Sequence, residues 1–160
     1  MSSKLPTIVV RHRKENKKKC SLRGLEGKAG VQFLSYPNTK LPPLDHYLLL
    51  DLEGPPLTLA DRDYGLILID ATWRYSERML RTLEPQLKNV QRRSLPTHLR
   101  TAYPRRQDDC RDAQRGLASV EALYAAYIIL QIPCDDILNQ YYWKIEFMTL
   151  NNYNIPPQHS

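Results

Sequence analysis

The sequence predicts a single α/β domain built on a mostly parallel sheet. Three observations lead there. Leu66-Ile67-Leu68-Ile69 is an unbroken apolar run, which suits a strand covered on both faces. Apolar, strand-like runs at 6–11, 31–35 and 46–51 precede it, and helical patterns follow over 73–88 and 117–130. The chain has 160 residues and is 42% hydrophobic, enough for one domain with a proper core.

The first strand is read at 6–11, where Thr7-Ile8-Val9-Val10 is β-branched in succession. Residues 14–30 are polar and contain glycine, so they read as loop with some helical character. Val31-Gln32-Phe33-Leu34-Ser35 is apolar enough for a second strand, and Pro37-Asn38 and Pro42-Pro43 punctuate the loop after it. A third strand spans 46–51 and ends at Gly54-Pro55-Pro56; a fourth spans 65–70. The helix over 73–88 carries Met79, Leu80, Leu83 and Leu87 as one stripe, with Glu77 four residues before Arg81. A short fifth strand fits 90–95, closed by Pro96. Residues 100–116 form a charged loop. In the helix over 117–130, Val120, Leu123, Tyr124, Tyr127 and Ile128 have core spacing, and Pro133 lies beyond its end. Asp135 or Asp136 can cap a last helix whose buried face is Ile137, Leu138, Tyr141, Ile145 and Met148. Tyr141 and Tyr142 read as core. The polar tail after Asn151 is expected to fray.

The junction at 70–73 is the most informative part of the chain. The apolar run stops at Asp70, Thr72 is a good N-cap, and Trp73 opens a helix. This places an acid and a large aromatic at the carboxyl end of a central strand, where open α/β sheets bind their ligands.

Composition sets outer limits. No apolar run reaches the roughly 18–20 residues of a membrane span. Ile8-Val9-Val10 is too short for a signal peptide, so the expected compartment is the cytoplasm. Cys20, Cys110 and Cys134 are widely spaced with no CxxC, which favours free thiols and no metal centre. Net charge is +6 with a pI near 9.3, and the basic residues cluster at 11–19 and again from Arg92 to Arg115. Such clustering suits a polyanion, although it also fits a solvated basic surface. The glycine-rich GxGxxG and P-loop patterns are both absent.

A family resemblance emerges from seven segments in order. They are Lys18-Lys19-Cys20-Ser21-Leu22-Arg23-Gly24-Leu25, Phe33-Leu34-Ser35, Leu44-Asp45, Asp70-Ala71-Thr72-Trp73, Arg93-Ser94-Leu95-Pro96-Thr97-His98-Leu99, Leu117-Ala118-Ser119-Val120-Glu121-Ala122, and Trp143 with Phe147 and Asn151. Together they resemble the small-subunit rRNA aminocarboxypropyltransferases. The Asp-Ala-Thr-Trp segment and the Ser-x-Glu-Ala helix start also resemble the DTW-domain tRNA enzymes.

The resemblance implies a SPOUT-like fold with a C-terminal trefoil knot, in which residues 1–36 form a basic strand/loop subdomain, 37–155 the S-adenosylmethionine-binding domain, and 156–160 a tail. It implies S-adenosylmethionine as donor of its 3-amino-3-carboxypropyl chain to a uridine-type nitrogen in rRNA or tRNA, by a monomer that needs no metal. Position by position it assigns Ser21, Leu66, Trp73, Leu95, Leu99, Leu117, Ala118 and Ser119 to the cofactor. Asp70 is the candidate general base, since a uridine-type nitrogen must lose a proton before it attacks; helix capping is the alternative role. Glu121 lies near a helix N-terminus, where the dipole favours a carboxylate. Lys17, Lys18, Lys19, Arg92, Arg93, Arg105 and Arg106 are the expected RNA phosphate contacts. Among the departures from the family pattern, Ala118 stands where the family usually has Ser, and residues 101–116 replace an Ala-Asn-Pro-x-Asn-Tyr-Gly segment; the second bears on the RNA target more than on the donor. A SPOUT methyltransferase and a non-catalytic RNA-binding or ribosome-assembly module remain the alternatives.

Overall fold

The computed structural model describes residues 5–12, 21–22, 24–28, 30–37, 40–71, 73–104 and 117–153. Its strands are β1 (Thr7–His12), β2 (Val31–Tyr36), β3 (Tyr47–Leu50), β4 (Gly65–Asp70) and β5 (Gln91–Arg93). Its helices are α1 (Trp73–Leu87), α2 (Ser119–Leu130) and α3 (Lys144–Leu150), with a 3-10 turn at Leu59–Asp61. The strands pair in the order β2-β1-β4-β3-β5, and every pairing is parallel. The expected α/β domain with a parallel sheet is therefore observed.

The three central strands, β1, β4 and β3, are buried on both faces, and they carry apolar side chains at successive positions, whereas the edge strands β2 and β5 are partly exposed. On one face Val9, Leu48, Leu50, Leu66 and Leu68 meet Val120, Leu123, Tyr127 and Leu130 of α2 and Phe147 and Met148 of α3. On the other, Ile8, Val10, Tyr47, Leu49 and Ile67 meet Met79, Leu83 and Leu87 of α1. Gly65 is required at the start of β4: a Cβ there would fall 2.4 Å from a ring carbon of Tyr47.

Topology decides where a site can form. After β1 the chain moves to β2 at one edge. After β4 it crosses through α1 to β5 at the opposite edge. β1 and β4 are neighbours, with Arg11 in register with Asp70. Their carboxyl ends thus flank the point where the winding reverses, and a crevice opens there in sheets of this kind.

Several expectations need correction. The last helix does not begin at Asp135 or Asp136. Residues 134–144 instead form consecutive three-residue turns, with Ile137, Asn139, Tyr141 and Lys144 N–H groups donating to the carbonyls of Cys134, Asp136, Leu138 and Tyr141. Turns of that pitch carry Ile137, Leu138 and Tyr141 into the core without an α-helix. Ile145, assigned to the buried face, is 42% exposed; Ile128 is also 42% exposed and Tyr142 is 83% exposed. α2 is apolar nearly all round, so its spacing does not single out the one residue left outside. Thr72 and the segment after Tyr153 lie outside the described residues.

Candidate active site

Asp70 ends β4 and is only 4% exposed; Arg11, beside it on β1, is 5% exposed. The Arg11 Nε donates to Asp70 Oδ2 at 3.2 Å. The other carboxylate oxygen, Oδ1, accepts the Ser119 hydroxyl at 2.7 Å. Ser119 is the first residue of α2, so this bond ties the sheet's carboxyl end to a helix N-terminus. The next amide of that turn, Val120 N–H, donates to Ser21 Oγ at 3.2 Å. Ser21, Asp70 and Ser119 come together from three separated parts of the sequence.

Arg11 holds more than Asp70. Its Nη1 donates to Glu26 Oε1 at 3.0 Å, and its guanidinium lies 4.5 Å from the centre of the Phe33 ring. Burial by itself would raise the Glu26 carboxyl. The backbone N–H groups of Glu26 and Gly24, together with Arg11, outweigh that and hold it below its ordinary value of 4.5.

Glu121, in the first turn of α2, is completely buried. Its Oε1 accepts the Thr101 hydroxyl at 2.6 Å and the Ala118 N–H at 2.7 Å. Its Oε2 accepts the Ala102 N–H at 2.9 Å and the Tyr141 hydroxyl at 3.0 Å. Asn151, at the end of α3, grips the same loop: Arg100 N–H donates to its Oδ1 at 2.7 Å, and its Nδ2 donates to the Arg100 carbonyl at 2.8 Å. The loop following β5 is therefore pinned from two sides.

Not all expected site residues join this cluster. Ala118 is buried at the N-cap of α2, and Leu117 precedes it, half-buried against the α2 layer. Leu95 and Leu99 bracket the pinned loop's approach, Leu99 buried and Leu95 packed on the same layer. Leu66 does not gather with Asp70. Four residues separate them along β4, roughly 13 Å at strand rise. Leu66 instead lines a cavity of about 210 Å³ at the amino ends of β1 and β4, with Thr7, Gly65 and Tyr127. Trp73 is the first residue of α1; its side chain, like Lys17, Lys18, Lys19, Arg105 and Arg106, lies outside what is described. Arg92 donates to Asp51 at 2.8 Å, and Arg93 to Asp61 at 3.3 Å. Both basic side chains of β5 are thus already matched by acids.

Sequence reasoning missed Arg11, Glu26 and Thr101, and gave Asn151 no role. Arg11 left one signal: a cation directly after a β-branched run, at the end of a strand buried on both faces.

No protein-family model matches the sequence, and no match is found among curated proteins. Among solved structures, the chain is similar to the SAM-dependent rRNA:acp-transferase Tsr3 from Vulcanisaeta distributa, with a TM-score of 0.63 and 22% identity over 92% of this chain and 79% of that one. At that identity the likeness establishes the fold.

Proposed function

We propose that this chain is an RNA-modifying transferase that moves the 3-amino-3-carboxypropyl group of S-adenosylmethionine to a uridine-type base nitrogen in ribosomal RNA. The observation that carries the reading is the cluster of Ser21, Asp70, Ser119 and the N-terminus of α2 at the reversal point of the sheet. The fold it shares with an SAM-dependent rRNA:acp-transferase supports the same reading.

The cluster fits the amino-acid end of that cofactor. A helix N-terminus with two hydroxyls suits a carboxylate. Ser21, Ser119, Leu95, Leu99, Leu117, Ala118 and Trp73 would hold the cofactor. When bound, S-adenosylmethionine supplies a sulfonium-activated carbon and a neutral leaving group, methylthioadenosine. The protein's tasks are to hold the base nitrogen in line with that carbon and to keep water away. Asp70 takes the proton from the attacking nitrogen, its orientation fixed by Arg11 and Ser119.

Lys17, Lys18, Lys19, Arg105 and Arg106 carry phosphate contacts in this proposal, and the exposed part of Arg92 adds one more. Arg93, bonded to Asp61, the Arg92 carbonyl and Gln91, serves first to order the edge strand. We extend the proposal to a SPOUT-like trefoil knot, a monomer and a cytoplasmic location. No described helix is long and apolar enough to cross a membrane.

Calorimetric titration tests the reading. S-adenosylmethionine and methylthioadenosine are expected to bind, with Trp73→Ala weakening both. No heat at millimolar cofactor would refute the transferase and leave an RNA-binding module.

A further inference from the structure

We infer that Glu121 is a positioning residue that locks the two loops flanking the N-terminus of α2 into one frame around the cofactor's place. The inference rests on the proposed function for its ligand, while the clamp itself rests on geometry alone.

Helix capping does not account for this side chain. A capping glutamate at this position needs only the N–H of the N-cap residue, here Ala118. Ala118 has no side-chain oxygen, so the reciprocal bond is missing. Glu121 makes three further bonds, to Thr101, Ala102 and Tyr141, which capping does not require. Its two oxygens divide the work. Oε1 bridges the 101 loop to the 118 loop. Oε2 bridges the 101 loop to Tyr141 in the turns before α3.

All four donors are neutral. A completely buried carboxylate held in this way costs more desolvation than an apolar residue of the same size, and none of the four donors brings it an opposite charge. What it provides is a node accepting from three chain segments at once, which no other side chain can do in that space. The loop so held continues from Leu95 and Leu99. The other begins at Leu117 and leads into Ser119, whose hydroxyl reaches Asp70. Both walls of the site therefore depend on one group that does not itself face it.

Glu121→Gln separates the two jobs. The amide has one acceptor oxygen. In either orientation its NH2 must face a backbone N–H, that of Ala102 or that of Ala118, while the hydroxyls of Thr101 and Tyr141 can turn and accept. One loop is then released and the fold is kept. The expected result is a rise of about tenfold in the dissociation constant for S-adenosylmethionine, measured well below the unfolding temperature. Exchange with deuterium at the Ala102 or Ala118 amide should quicken by about tenfold, with core amides such as Ile67 unchanged. Thr101→Val, which removes one donor to Glu121 together with the acceptor of the Tyr103 N–H in the same loop, should raise the dissociation constant about threefold and guards against failure of the first variant to fold. Wild-type affinity in a folded Glu121→Gln chain would overturn the inference. So would faster exchange spread evenly over the core with affinity unchanged. Should the unaltered chain bind no S-adenosylmethionine, the transferase reading falls. The clamp is then decided by exchange alone: unchanged protection of both loop amides refutes it.

Discussion

Asp70→Asn tests the centre of the site in two ways at once. The substitution keeps the volume and one oxygen but removes the charge opposite Arg11. Both side chains of that pair are 6% exposed, so solvent does not replace the lost partner. Breaking a buried pair outright costs about 3–5 kcal/mol. Here Arg11 keeps Glu26 at 3.0 Å and the Phe33 ring at 4.5 Å, and asparagine can still accept one bond. The expected loss is therefore smaller, about 2 kcal/mol, or a fall of about 4–8 °C in Tm for a chain of this size. Urea unfolding followed by circular dichroism measures it. A cycle with Arg11→Met should return a coupling of at least about 1 kcal/mol. Transfer to RNA, assayed where the variant is still folded, should fall by about 100-fold or more if Asp70 takes the proton. A stability change under about 0.5 kcal/mol would refute the buried pair. A loss of only a few-fold in rate would remove Asp70 from the base role and leave it as an organiser of Arg11 and Ser119.

Three other outcomes follow from the geometry. Gly65→Ala should destabilise by about 2–3 kcal/mol or prevent folding, because its Cβ would meet the Tyr47 ring at 2.4 Å; a neutral result in urea unfolding would contradict that packing. Burial, with Asp135 and Asp136 nearby, pushes the Cys134 thiol up to about 11 from its ordinary 9.0, so alkylation of the native chain at pH 8 should be slower there by about 100-fold than at an ordinary thiol, as read by mass mapping. Glu26 titrates below its ordinary value when folded, so the stability it contributes is complete above pH 4.5 and is lost as pH falls through the folded value; unfolding of Glu26→Gln should show a flatter acid limb than the unaltered chain.

The sheet and its main helices were legible because their signals are local. Leu66 to Ile69 suit a strand covered on both faces, which puts Asp70 at its end. The pairing order was not legible: nothing in the residues of β1 states that Arg11 lies opposite Asp70. For the same reason Glu121 was visible only as a residue near a helix start. Its other bonds run to Thr101, Ala102 and Tyr141, about 20 residues away on either side, and depend on how the loops return. Residues 134–144 misled because apolar spacing at three and four residues fits both a helix and a chain of turns. Arg92 and Arg93 appeared as a basic pair until Asp51 and Asp61, some 30–40 positions away, were placed beside them. Charge runs read in one dimension do not reveal their partners.

The most direct measurement is transfer from doubly labelled S-adenosylmethionine, with one isotope in the carboxyl and another in the methyl, to small-subunit ribosomal RNA. The expected result is carboxyl label in the RNA, no methyl label, and methylthioadenosine as the released product. Methyl label in the RNA with S-adenosylhomocysteine released would contradict the proposed reaction.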